Sequence, residues 1–303
     1  MHREGRGPVS RARIDMNYAS PEAVMRRWLQ GYEANEDMRQ RVCLVIAKFV
    51  KDLIDAGLPV AMLEPMFDAI SNSRKDRTAE RRRAFIVADW AIREVAPPVL
   101  TWGFCPKEAA RLQELPQIID VGTAKRAAAV AEDASAAGFR ARLEERCVEH
   151  AGHSVQQAAM YLIAAEQCDS YAAAAISFTW IAVYAADTWK AACAMATFIA
   201  RADARAEWDR ARAVPYALPS SYGQIYEAER RAIASALAPL WQSAMACLTR
   251  MLGAVAEAEC SVVATDPVSD ARPPAKMESP AVTDDDMDRA IHRVRATLVK
   301  VTS

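Results

Sequence analysis

Cys147, His150 and His153 stand at three-residue intervals, the one place in this chain where metal-ligating side chains gather at ligand-like spacing. On a helix Cys147 and His150 share a face at i, i+3, and a turn at Gly152 would bring His153 back toward them. Glu144, one turn earlier, would supply the fourth ligand that a closed zinc site wants. A plainer reading competes: histidines near a helix C-terminus complement its dipole while the cysteine faces the core. We prefer the plainer reading and expect no bound metal and no cofactor.

A second constellation is basic. Arg74, Lys75, Arg77, Arg81, Arg82 and Arg83 set six cations against Asp76 and Glu80. Such a run suits phosphate or an acidic protein surface; it also suits a solvated loop and first helical turn, with Arg82 or Arg83 paired locally. No aromatic residues interleave with it, so a stacking platform for single-stranded nucleic acid is missing. Among acids, Asp89, Glu94, Asp187 and Asp203 lie on or beside apolar helices, but no spacing selects a catalytic pair. Neither P-loop, GxGxxG, GxSxG nor HExxH occurs, and 10 glycines offer few backbone cradles for phosphate. The reading leans against an enzyme.

Charge and cysteine usage narrow the class further. Lys plus Arg total 38 against 39 acids, a balance without the basic excess of a nucleic-acid or anionic-membrane binder. Seven cysteines (Cys43, Cys105, Cys147, Cys168, Cys193, Cys247, Cys260) form no CxxC pair and mostly sit in apolar helical surroundings, the pattern of reduced buried thiols. Met1 to Ser20 is polar and lacks an apolar leader core, so a cytoplasmic protein is expected.

The elements that must carry these residues are all helices. From His153 to Val214 there is no Gly and no Pro over 62 residues, and alanine dominates. Nothing in the chain alternates with period 2, so no sheet is expected. Ser170 to Ala186 is uncharged for 17 residues, yet mostly alanine, and we read it as a buried central helix rather than a membrane span. One helix from Ser154 to Val214 would measure about 90 Å, too long for a compact domain. Breaks are therefore expected at Asp169-Ser170 and Asp187-Thr188, besides a helix end at Gly152 with Ser154 as a fresh cap.

The chain divides accordingly. Residues 1–19 read as a disordered basic N-terminus. Residues 20–120 form an N-terminal helical part. It holds a helix starting at Ser20-Pro21 and another from Asn35 to Gly57 through Val45, Ile46, Phe49 and Leu53. A short helix opened by Pro59 and one capped near Thr78 that ends or kinks at Pro97-Pro98 complete it. Residues 123–260 form an alanine-rich bundle whose first helix is capped by Thr123 and whose last is capped by Ser220 or Ser221. Trp180, Trp189, Trp208, Tyr171, Phe178 and Tyr184 would fill the gaps that small residues leave. A linker, 265–282, then tethers a C-terminal helix, 283–301, with Asp284, Asp285 and Asp286 in its first turn and an apolar stripe of Met287, Ile291, Val294 and Leu298. Caps at Thr123, Ser154, Asp187 and Ser220 lie 31, 33 and 33 residues apart, near the period of helix-hairpin arrays. The residues between them do not repeat, so an irregular multi-helix bundle is the expectation and a hairpin array the alternative.

Asp89-Trp90, then Ala96-Pro97, then Leu112-x2-Leu115-Pro116-x-Ile118 precede this Ala-rich, Trp-dotted region. Together with Leu240-Trp241-Gln242-Ser243-Ala244-x3-Leu248-x-Arg250-Met251 they resemble a type of uncharacterised all-helical protein encoded by phages and prophages. The likeness spans Arg77 to Met251 and rests on packing residues; this chain is less regular in Ala and Trp and adds the C-terminal helix. It implies an all-α accessory protein of a phage or bacterium, in the cytoplasm of a bacterial cell, and carries over no activity and no site residues.

The expected function is non-catalytic: a protein that presents helix faces to another protein, blocking or neutralising it. The basic run and the stripe of the C-terminal helix are the candidate contact residues. A structural, self-assembling homo-oligomer is the alternative, and a metal-dependent helical enzyme the second alternative. Neither a nucleic acid nor a membrane is an expected partner.

Overall fold

Alanine and long unbranched side chains favour helix almost everywhere along this chain, and the computed structural model is all-α. It describes residues 43–73, 76–140, 146–212 and 222–254, and no strand occurs among them. The expectations at Ser20, Asn35, Ser220, Ser221, the linker and the C-terminal helix lie outside the described residues.

The first described helix, α1 (Leu44–Asp55), turns Val45, Ile46, Phe49, Val50 and Leu53 inward. It ends as a Schellman motif: Leu58 N–H donates to the Leu53 carbonyl, Gly57 N–H to Ile54, and Gly57 adopts φ +103°. A 3₁₀ turn (Val60–Met66) and the short α2 (Phe67–Ser71) lead to α3 (Arg77–Trp90). A single helix from Asn35 to Gly57 is corrected here, because Cys43 is extended and its N–H bonds the Ser73 carbonyl across the loop.

Asp76, rather than Thr78, caps α3 by accepting from Ala79 N–H at 2.8 Å. Pro97-Pro98 does not end that helical run. Residues Ala91–Val95 widen into a π turn, with Ala96 N–H donating to Ala91, and α4 (Ala96–Trp102) continues beyond it. After α5 (Pro106–Gln113), α6 (Val121–Arg140) starts at a reciprocal box. Asp120 accepts from Thr123 N–H at 2.7 Å, and Thr123 Oγ1 accepts from Asp120 N–H at 3.1 Å. Asp120 is therefore the cap, and the Thr123 N–H and hydroxyl, both donating to its carboxylate, hold it below the usual carboxylate range.

Two expected breaks are absent. α7 runs unbroken from Arg146 to Glu166, so Gly152 ends nothing and Ser154 is a buried residue inside the helix. The glycine has a packing purpose instead. A Cβ there would lie 2.9 Å from the Ala134 carbonyl oxygen of α6, and one at Gly138 would lie 2.9 Å from that of Val148 on α7. The two glycines let the α6 and α7 backbones touch, with Ala127, Ala131, Ala134, Ala151 and Ala159 buried around the seam.

α8 runs from Tyr171 to Arg212, 42 residues and about 63 Å. The Asp169-Ser170 break is real; the one at Asp187-Thr188 is not. Thr188 satisfies its own hydroxyl by donating to the Tyr184 carbonyl at 2.8 Å, and buried Ala185, Ala186, Trp189 and Ala192 carry the helix straight through the bundle. With Ser154 and Asp187 both mid-helix, the 31–33 residue spacing marks no structural repeat.

α8 is the central helix, contacting α7, α9 (Tyr222–Gly253), α1, α3 and α4. One hydrophobic core joins residues on both sides of 120–123, from Phe49 and Trp90 (ring centroids 5.4 Å apart, edge-on) to Trp189 and Leu248. The C-terminal half of α9 is fastened to it by polar contacts. Trp189 Nε1 donates to the Leu240 carbonyl at 3.1 Å, and Trp90 Nε1 to Ser243 Oγ at 2.8 Å. N-terminal to Pro239, α9 instead pairs with the end of α8 as a two-helix arm.

Candidate functional site

Because α7 continues past Gly152, six residues at about 100° each turn His153 roughly 240° away from Cys147. His150 and His153 are exposed, and Cys147 is half-buried. His153 instead lies edge-to-face with the Tyr184 ring, centroids 6.4 Å apart. Glu144 lies outside the described residues, among which no group of three metal-ligating side chains gathers.

The described arginines of the basic run bond to other helices, and Arg83 alone among them is buried. Arg83 is 2% exposed and donates to the Met251 carbonyl at 3.1 Å; Arg82 reaches the Ala254 carbonyl at 3.3 Å. Arg81 pairs with Glu166 at 2.5 Å and lies over the Phe85 ring, while Arg77 donates to the Cys168 carbonyl at 3.0 Å. These carbonyls and acids sit at the C-terminal ends of α7 and α9, where the helix dipoles favour cations. The first two turns of α3 thus reach two helix ends, Arg77 and Arg81 that of α7 and Arg82 and Arg83 that of α9, and Arg77 and Arg82 remain exposed. Arg74 and Lys75 lie outside the described residues.

Residues that carry the sequence likeness also join one helix to another. Asp89 is buried and accepts from Ile118 N–H at 2.9 Å and from Arg93. Trp90 reaches Ser243, and Arg250 pairs with Glu94 at 2.9 Å. These side chains hold helices together rather than perform chemistry. Asp187 is half-buried and Asp203 exposed.

Glu80 was missed. It is fully buried and accepts from Leu44 N–H at 2.6 Å, Val45 N–H at 3.0 Å and Cys43 Sγ at 3.2 Å, capping α1 from 36 residues away. Burial pushes its carboxyl up, against the pull of the Val45 and Leu44 N–H groups. The signal was its place one turn before Ala84 and two before Val87, on the inward face of α3.

An aromatic face of α7 and α8 was also misplaced. Phe178 and Trp189 are buried as expected, but Trp180 is 41% exposed. Its ring lies 6.1 Å from Tyr161 and 5.9 Å from Tyr184, and those two tyrosines stack at 5.7 Å. Trp180 and Tyr184 sit at i, i+4 on α8, and Tyr161 answers from α7. His153 extends the row, and Phe198, 70% exposed, lies further along α8.

The buried thiols are held in the neutral, unreactive form. Burial raises Cys43 and Cys247 far above the ordinary cysteine range, the neighbouring Glu80 adding to the effect on Cys43, and pushes Cys193 up to about 12. Cys147 and Cys168 are raised by burial too but are only half-buried. A thiol reagent at pH 8 is expected to label Cys147 and Cys168 in the native protein and Cys43, Cys193 and Cys247 only on unfolding, read by peptide mass. Labelling of Cys43 at the rate of Cys168 would show the α1–α3 junction to be open.

No protein-family model, no curated protein and no solved structure matches this chain.

Proposed function

We propose that this is a non-catalytic protein–protein interaction protein that engages its partner through the aromatic face of α7 and α8. The carrying observation is the row of Tyr161, Trp180 and Tyr184 rings on two mutually packed helices, with Trp180 41% exposed and both tyrosines half-buried. Tyrosine and tryptophan offer large, rigid contact area with a polar tip, and they dominate binding energy at interface centres. Rigid helices hold this row ready, so little ordering opposes association. The resemblance to phage and prophage proteins supports an accessory role in a bacterial cell, blocking or neutralising the partner. The arginine run then acts by fastening α7 and α9, with Arg77 and Arg82 as the cations available to an acidic rim.

The test starts from tagged protein co-purified from its native host, with partners read by mass spectrometry. Trp180→Ala and Tyr184→Ala are each expected to weaken the captured partner about 30-fold or more while leaving circular dichroism and Tm unchanged. Full affinity in both variants would remove the aromatic face from the interface. A chain that associates only with itself in sedimentation would favour the self-assembling alternative.

A further inference from the structure

Among the described residues, α9 alone carries a stretch, Gln224–Gly253, long and apolar enough to cross a membrane by length and composition, yet only 17% of the 18-residue window within it that qualifies is buried. No residue from 224 to 243 is fully buried, nor is any from 201 to 210 on α8. Between the two helices of this arm runs a groove. Near the bundle it opens to about 440 Å³ beside Trp102, Ile199 and Ala236, and toward the tip to about 500 Å³ beside Trp208 and Ile225. The two openings share Asp203 and Ala232 and so adjoin along the same pair of helices.

We infer that the groove is the docking site of this chain's own segment 283–301. A cleft between two helices is the shape that the apolar face of a third helix fills. Met287, Ile291, Val294 and Leu298 recur at spacings of 4, 3 and 4. On a helix they would span about 16 Å, against about 18 Å of groove from Ala196 to Trp208. The tether fits as well. α9 ends at Gly253, and residues 255–282 lie between it and the segment. A flexible chain of that length has a root-mean-square reach of about 26–32 Å, and the way back along α9 from Gly253 to Ala232 is about 32 Å. A segment so tethered meets the groove at roughly millimolar effective concentration, which a second copy or a foreign helix must exceed. Its docking turns the two-helix arm into a three-helix unit. This face is separate from the aromatic row, so the two proposals stand or fall apart.

The test uses the full chain with a photoreactive benzoylphenylalanine at the groove rim, in place of Asp203 or of Arg231. Light- and heavy-isotope protein are mixed before irradiation. Expected are cross-links from the rim to peptides within 283–301, uniformly light or uniformly heavy, reduced at least tenfold by Ile291→Asp with Leu298→Asp. Circular dichroism of that double variant checks that the bundle stands. Mixed-isotope cross-links would assign the groove to a second copy and overturn the proposal. Absence of any cross-link to the segment would overturn it too. So would flotation of the protein with phosphatidylcholine–phosphatidylglycerol vesicles and cross-linking of the rim to lipid.

Discussion

Glu80→Ala is expected to remove about 3–5 kcal/mol of stability, a large share of the roughly 5–15 kcal/mol that holds an ordinary fold together. Two backbone N–H groups at the start of α1, those of Leu44 and Val45, lose their acceptor inside the protein. The Cys43 thiol loses its own, and the buried Arg83 guanidinium loses the nearby negative charge. Urea unfolding at pH 7 reads the effect directly. Glu80→Gln keeps the shape and one acceptor oxygen, and roughly 1–3 kcal/mol is expected from the donors it leaves unpaired. The pair also reports on pH. Burial raises the folded-state value above the unfolded one, so the titration of Glu80 stabilises the fold below its ordinary value of 4.5. That contribution fades as pH rises through the folded-state value. The advantage of wild type over Glu80→Gln should therefore be larger near pH 4.5 than at pH 7. Stability within about 1 kcal/mol of wild type in Glu80→Ala would mean that α1 does not depend on this cap.

Gly152→Ala sets two effects against each other. Alanine gains about 1 kcal/mol of helix propensity over glycine. Its Cβ, however, would stand 2.9 Å from a carbonyl oxygen and 3.0 Å from Ser135 Cα, both backbone atoms that no rotamer change can move aside. Forcing two packed helices apart costs about 1–3 kcal/mol, and the buried alanines of the seam lose contact with it. A net loss of about 1–2 kcal/mol is expected for Gly152→Ala and about 3 kcal/mol or more for Gly152→Leu. Gly138→Ala strains the same pair of helices, so the double variant should cost less than the two singles added, because one separation relieves both contacts. Gly253→Ala, where nothing stands within 4 Å of the new Cβ, is the control and should not destabilise. A Gly152→Ala protein that melts above wild type would show the seam to be looser than described.

The helical class, the Gly57 stop and the break at Asp169-Ser170 were legible because each depends on neighbours in sequence. Gly152 was not, since a glycine that ends a helix and one that admits another backbone look alike in a single sequence. That misreading made the Cys147–His150–His153 set look convergent. Glu80 and Arg83 read as solvated charges because their partners, Leu44 and Met251, lie 36 and 168 residues away. Helix α8 is continuous because Trp189 and the alanines around it are buried among several other helices, which no local pattern announces. The aromatic row misled for a related reason: spacing shows that Trp180 and Tyr184 share a face, and only the fold shows that the face is outside.

Pro239 has no N–H to offer the Ser235 carbonyl, so the hydrogen-bond ladder of α9 is cut where the helix leaves the bundle. One helix is thereby two units of local opening. The C-terminal half, tied down by Trp90, Trp189 and Arg83, exchanges its amide hydrogens through the slow global event. The N-terminal half exchanges through opening of the arm alone, faster by as much as its contacts are fewer. Amide exchange along α9 should step at Pro239 rather than decline smoothly, and a protease acting on the native protein should enter on the arm's side of that step.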